Sequence, residues 1–124
     1  MAFNLKDNSW VAHFTAKLIL EELSRRGVRH ICFSTGNQNS TFALALSESS
    51  SFEIHVLKDE RAAAYFALGI AKASAMPAAL ICTSGTAVAN YLPAVAEASL
   101  SSTPMLILSS DRPCLLYTSP SPRD

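Results

Sequence analysis

Lys58-Asp59-Glu60-Arg61-Ala62-Ala63-Ala64-Tyr65-Phe66-Ala67-Leu68-Gly69 and, after a short apolar run, Thr83-Ser84-Gly85-Thr86-Ala87-Val88-Ala89-Asn90 are the stretches that decide how this chain folds. In the first, a carboxylate stands where a strand gives way to a small-residue helix. In the second, a Gly/Ser/Thr turn closes the next strand. In an open α/β sheet both positions fall on the same edge, the one at which ligands bind.

The rest of the chain supports such a sheet. Residues 52–57 read as a strand and 59–75 as an alanine-rich helix; 78–83 form a strand after Pro77. Residues 86–100 are helical, with Pro93 either kinking the helix or sitting in the first turn of a second segment. Residues 105–110 close the pattern as a strand. Toward the N-terminus, 30–34 is a buried-strand pattern ending at Thr35-Gly36-Asn37, and Ser40–Ser47 is a short helix. Residues 9–26 carry Trp10, Val11, Phe14, Leu18, Ile19 and Leu23 at helical spacings, with Asn8 or Ser9 to cap the start. Gly27 then suits a left-handed cap. Alternating strands and helices predict a doubly wound α/β fold, its mainly parallel sheet covered by helices on both faces. The strands are nearly continuous apolar runs, as burial on both faces requires.

Composition narrows the function classes. Of 124 residues, 49% are apolar and 16% charged, so the chain is a globular domain. Ten basic and ten acidic side chains cancel, which argues against a nucleic-acid or anionic-membrane footprint. No apolar run approaches the roughly 20 residues that span a bilayer. Asn4, Lys6, Asp7 and Asn8 break any signal-peptide core, so a cytoplasmic protein is expected. Cys32 and Cys82 lie in strand-like runs and read as buried free thiols. His13, His30 and His55 show no metal-site spacing and read as structural, so no metal ligand is expected.

The character changes after Pro113. Residues 114–124 have no helical or strand period and are rich in Ser-Pro pairs. One codon choice for them spells a widely used sequencing adapter in frame. The expectation is therefore a native, incomplete domain over 1–113 and a non-native tail over 114–124.

Glu60 admits two readings. It is a first-turn acid favoured by the helix dipole, or a carboxylate facing a nitrogen base with which it exchanges a proton. Gly85 permits close approach of backbone to a ligand, and the N–H groups that follow can hold polar or anionic groups. No Gly-Lys-Ser/Thr follows, so this is not a P-loop.

Together these segments resemble the N-terminal pyrimidine-binding domain of thiamine-diphosphate-dependent enzymes, and most closely the MenD family of menaquinone biosynthesis. Asp59-Glu60-Arg61, Phe66-Ala67-Leu68-Gly69, Thr83 to Asn90, Pro93-Ala94, Glu97-Ala98 and Asp111-Arg112-Pro113 carry the resemblance. Acetolactate synthases typically have Gly-Pro-Gly where this chain has Gly85-Thr86-Ala87. The resemblance implies that Glu60 hydrogen-bonds the cofactor's aminopyrimidine, promoting the imino tautomer that generates the ylid. It also implies cofactor contacts at Thr83, Ser84, Gly85 and Asn90. The implied reaction is decarboxylation of 2-oxoglutarate and carboligation to isochorismate. Mg²⁺ ligands are implied in a further C-terminal domain absent here, within a homodimer or homotetramer, so the chain alone is expected to be inactive.

One segment departs from the family. Pro-Gly-Ser-Arg is usual after the first strand, where this chain has Thr35-Gly36-Asn37-Gln38. Glutamine cannot replace the bidentate charged fork that arginine offers a carboxylate. Asn37 and Gln38 are either substrate contacts or ordinary loop residues. The alternatives are thus another thiamine-diphosphate-dependent 2-oxoacid decarboxylase or ligase, or a non-catalytic α/β domain.

Overall fold

The computed structural model describes residues 9–111. Its elements are α1 (Ser9–Arg25), β1 (His30–Phe33), a 3-10 turn (Asn37–Asn39), α2 (Ser40–Ser47), β2 (Glu53–Val56), α3 (Glu60–Ser74), β3 (Ala79–Cys82), α4 (Thr86–Ala89), α5 (Leu92–Leu100) and β4 (Leu106–Ser109). Asn8 and residues 114–124, for which a cap and a non-native tail are expected, lie outside the described residues.

The four strands form one parallel sheet in the order β2-β1-β3-β4. Side-chain alternation along the strands separates two cores. On one face Ile31, Phe33, Ala79 and Ile81 pack with Ala16 and Leu20 of α1 and Ala45 and Leu46 of α2. On the other, Cys32, Leu80 and Cys82 pack with Ala63, Ala64 and Ala67 of α3, and with Tyr91 and Ala94 at the start of α5. β1 hands the chain to β2 on one side through α2, and β3 hands it to β4 on the other through α4 and α5. The sheet therefore has its switch point between β1 and β3, as a doubly wound fold requires.

Local chemistry sets the boundaries. At the end of α1, Gly27 adopts φ 86°, and Val28 N–H returns to the Leu23 carbonyl at 3.0 Å. This is the left-handed cap expected there. Asp59 caps α3, its Oδ1 accepting from Ala62 N–H at 2.7 Å. Pro93 lies in the first turn of α5, with α4 already ended at Ala89, which selects the second of the two readings of that segment. Cys32 and Cys82 are buried free thiols, as expected.

One expectation needs correction. Continuous burial holds for β1 and β3, but β2 and β4 each have one neighbour among the described residues, and Val56 is 64% exposed. An edge position leaves one flank uncovered whatever the apolar pattern. On α1 the apolar positions divide: Ile19 and Leu23 lean toward the core beside Ala16 and Leu20, while Trp10, Val11, Phe14 and Leu18 are exposed. Among the described residues, no helix is long and apolar enough to cross a membrane.

Where β1 and β3 end, their backbones nearly touch. Gly36 has an extended backbone, so its need for glycine is spatial: a Cβ there would lie 2.5 Å from Thr83 Cβ. Replacing Gly36 with alanine must push the two strand ends apart. The expected loss is about 1–3 kcal/mol of unfolding free energy by overpacking. Urea unfolding checks this, and an unchanged midpoint would show that the ends separate freely.

Candidate functional site

Glu60 is the first residue of α3, and its placement follows from Asp59. With Asp59 committed to the cap, Glu60 begins the helix at the carboxyl edge of the sheet and is half-buried. Asn90, which ends α4, donates from Nδ2 to Glu60 Oε2 at 3.4 Å, a long hydrogen bond. Two of the predicted residues are thus brought together across 30 positions of sequence. Thr83 and Ser84 follow β3 directly and are half-buried, while Gly85 holds φ 77° at the start of the single-turn α4. A Cβ on Gly85 would meet nothing within 4 Å, so the space beside this turn is open.

Asn37 and Gln38 lie on the 3-10 turn after β1 and are both exposed, without side-chain hydrogen bonds among the described residues. The residue between sequence-based expectation and structure is Asn39. It precedes α2 like a capping residue but makes no cap. Its side chain is fully buried, with Nδ2 donating to the Ser34 carbonyl at 2.7 Å, which ties the turn to the end of β1. An Asn directly before a helix was the available signal, and it suggests a cap rather than an inward anchor.

Tyr91 is the second residue that sequence reasoning missed. It is buried, and its hydroxyl neighbours Ser34 and the Cys82 thiol without a formed hydrogen bond to either. Burial foremost, and then Cys82, push the phenol above its ordinary range, with Glu60 adding to this. Burial likewise raises Cys82, opposed by Tyr91 and reinforced by Glu60. Glu60, Cys82 and Tyr91 therefore form one electrostatic group. Ser34 Oγ, Asn39 Oδ1, Ser84 Oγ and Tyr91 Oη are buried with no hydrogen-bond partner among the described residues. All four belong to segments at or following the ends of β1 and β3.

This arrangement suits a flat heteroaromatic ring with polar substituents. It offers one half-buried carboxylate acceptor and polar side chains without protein partners, beside a turn with open space. It does not suit a hard divalent cation, which needs several converging oxygens. Among the described residues one group could converge on a metal ion, His30, Glu53 and His55, and it lies on β1 and β2 away from Glu60.

Buried acids make the fold sensitive to alkali. Burial pushes the Cys32 thiol up to about 11 from an ordinary 9.0, and Cys82 and Tyr91 move in the same direction. Each is neutral when protonated, so the unfolded chain ionises first. The stabilisation is complete below pH 9 and is lost as pH rises through about 11. Cys32 alone should lower the unfolding free energy by up to about 1.4 kcal/mol per pH unit in that window. Urea unfolding at a series of pH values tests this; a flat profile would mean the thiols are solvated.

Comparison with known proteins bears on the family of the chain. A family model described as thiamine pyrophosphate enzyme, N-terminal TPP binding domain, matches residues 14–118. The chain is similar to 2-succinyl-5-enolpyruvyl-6-hydroxy-3-cyclohexene-1-carboxylate synthases. With that of Chlorobium phaeobacteroides it shares 48% identity over 111 residues, 90% of this chain and 19% of the relative. For Aliivibrio fischeri the identity is 52% over 98 residues, 79% of this chain and 17% of the relative. For Listeria monocytogenes it is 51% over 94 residues, 76% and 16% respectively. The chain thus spans less than a fifth of the length of these curated relatives.

Proposed function

Because the chain belongs to the thiamine pyrophosphate enzyme family as its N-terminal TPP binding domain, we propose that the Glu60 edge holds the pyrimidine end of thiamine diphosphate in a MenD-like synthase. The observation that carries this reading is the half-buried Glu60 carboxylate at the switch-point edge, grouped with Asn90, Tyr91 and Cys82.

When bound, the cofactor supplies the electron sink that lets a 2-oxoacid lose carbon dioxide and transfer the remainder to an acceptor. The chain's own part is orientation and proton handling. Glu60 accepts a hydrogen bond from a ring nitrogen and moves a proton at its free carboxylate oxygen. Asn90 holds the other oxygen in place. Ser84 and Tyr91 offer the ring polar partners they lack within the protein. Thr83 and Gly85 set the turn beside it, with Gly85 leaving room for close approach.

The full protein would act on 2-oxoglutarate and isochorismate as a homodimer or homotetramer. Its Mg²⁺ would be held by residues other than those of this edge. The exposed Asn37 and Gln38 favour a second reading at the substrate end, since neither supplies the charged fork suited to a carboxylate. That reading is a related decarboxylase or ligase with a different 2-oxoacid.

Glu60→Gln in the complete gene product should lower thiamine-dependent decarboxylation by roughly 10²–10⁴-fold while circular dichroism stays unchanged. Undiminished turnover would sink the cofactor assignment. Turnover of 2-oxoglutarate with isochorismate, set against pyruvate, decides between the two substrate readings. A preference for pyruvate would favour the second.

A further inference from the structure

Three side chains that sequence spacing keeps apart meet on the sheet face that carries α3. The register pairs His30 with Glu53 and Cys32 with His55, and pairing in a parallel ladder puts partners on the same face. His30 Nδ1 lies 3.2 Å from His55 Nε2. The Glu53 carboxylate lies beside both, its Oε2 3.6 Å from His30 Nδ1 and its Oε1 3.8 Å from His55 Nε2, and one ligand atom from each of the three residues lies within 4.8 Å of the others. The His55 ring is held on its far side by Phe66 of α3, edge-on at 4.9 Å between centroids. Histidines were read as structural from the sequence because their spacing there, 25 residues between His30 and His55, gives no metal pattern. Strand pairing supplies what spacing hides.

We propose that His30, His55 and Glu53 form a Zn²⁺ site that clips the edge strand β2 to β1. Two imidazole nitrogens facing each other need a cation or a proton between them, and the carboxylate balances the charge of either. The 3.2 Å between the two nitrogens and the 3.6 Å from His30 Nδ1 to Glu53 Oε2 bracket the edge of a tetrahedron with zinc-ligand bonds of about 2.0–2.2 Å, which is about 3.3–3.6 Å. The cis edge of an octahedron around Mg²⁺ would be about 2.9 Å, and Mg²⁺ prefers oxygen ligands. Imidazole and carboxylate together suit zinc, whose filled d shell lets it accept small angular departures. Glu53 is 68% exposed, so a water completes the fourth position from the solvent side.

The test uses the complete gene product, prepared without a histidine tag and stripped with a chelator. Zn²⁺ alone is titrated by calorimetry, and Co²⁺ alone by visible absorption, where tetrahedral coordination gives intense d–d bands. The wild type should take up one more equivalent of Zn²⁺ than His55→Gln, with a tetrahedral Co²⁺ spectrum that the variant lacks. Glu53→Gln removes an exposed side chain and should leave the fold intact while weakening Zn²⁺ by at least about 10-fold. It decides the matter if the histidine variants fail to fold. Equal Zn²⁺ uptake by wild type and Glu53→Gln, with no tetrahedral Co²⁺ bands, would overturn the site and leave a hydrogen-bonded histidine pair.

Discussion

Burial of β1 and β3 on both faces is the constraint on which the molecule rests. Ile31, Cys32 and all of β3 are inaccessible to solvent, with α1 and α2 on one side and α3 and α5 on the other. Close packing leaves such strands no freedom to slide, since a slip of one residue would exchange the two cores. Their carboxyl ends are consequently fixed in space. Gly36 and Thr83 sit against each other there because neither strand can yield. The chains leaving those ends turn to opposite faces, and the edge between them is where the proposed cofactor site lies.

That edge carries a cost in the free protein. Four buried polar atoms without partners gather near it, where a folded chain of this size ordinarily keeps few. Each such group costs about 1–3 kcal/mol while unpaired. The core could have been built from apolar side chains at the same positions. Keeping Ser34, Asn39, Ser84 and Tyr91 makes sense where a bound group completes their hydrogen bonds.

The sequence made the frame legible through alternation of strand and helix and through its local stop signals. Gly27, Asp59 and Pro93 act within a few residues of themselves, and each ends or starts the element it marks. Glu60 was legible for the same reason, as the first residue after a helix cap. What stayed hidden depends on contacts between distant segments. Asn39 looks like a cap, and only the fold shows it turned inward to Ser34. Tyr91 carries no local mark, and its role comes from β3 and α3 packing around it. Apolar spacing marked α1 as a helix but did not say which of its residues are covered: Trp10, Phe14 and Leu18 are exposed, while Ala16 and Leu20 are buried.

The alanine face of α3 has a mechanical consequence. Ala63, Ala64, Ala67 and Ala71 are all buried, with Leu68 the one large side chain among the buried residues of the helix, so its axis lies close to the sheet. Glu60 stands at one end of that rod and Ala71 near the other, roughly 16 Å away at the helical rise. Swelling the far end by a single methyl group would tip the rod about the alanines between. With the pivot near the middle, roughly 8 Å from either end, a tilt of about 7° would move Glu60 by about 1 Å, a displacement that can cost an enzyme roughly 10²-fold in rate. Small side chains along this helix thus act as a sighting bar: they keep the Glu60 carboxylate aimed, in the role proposed for it, from within the core.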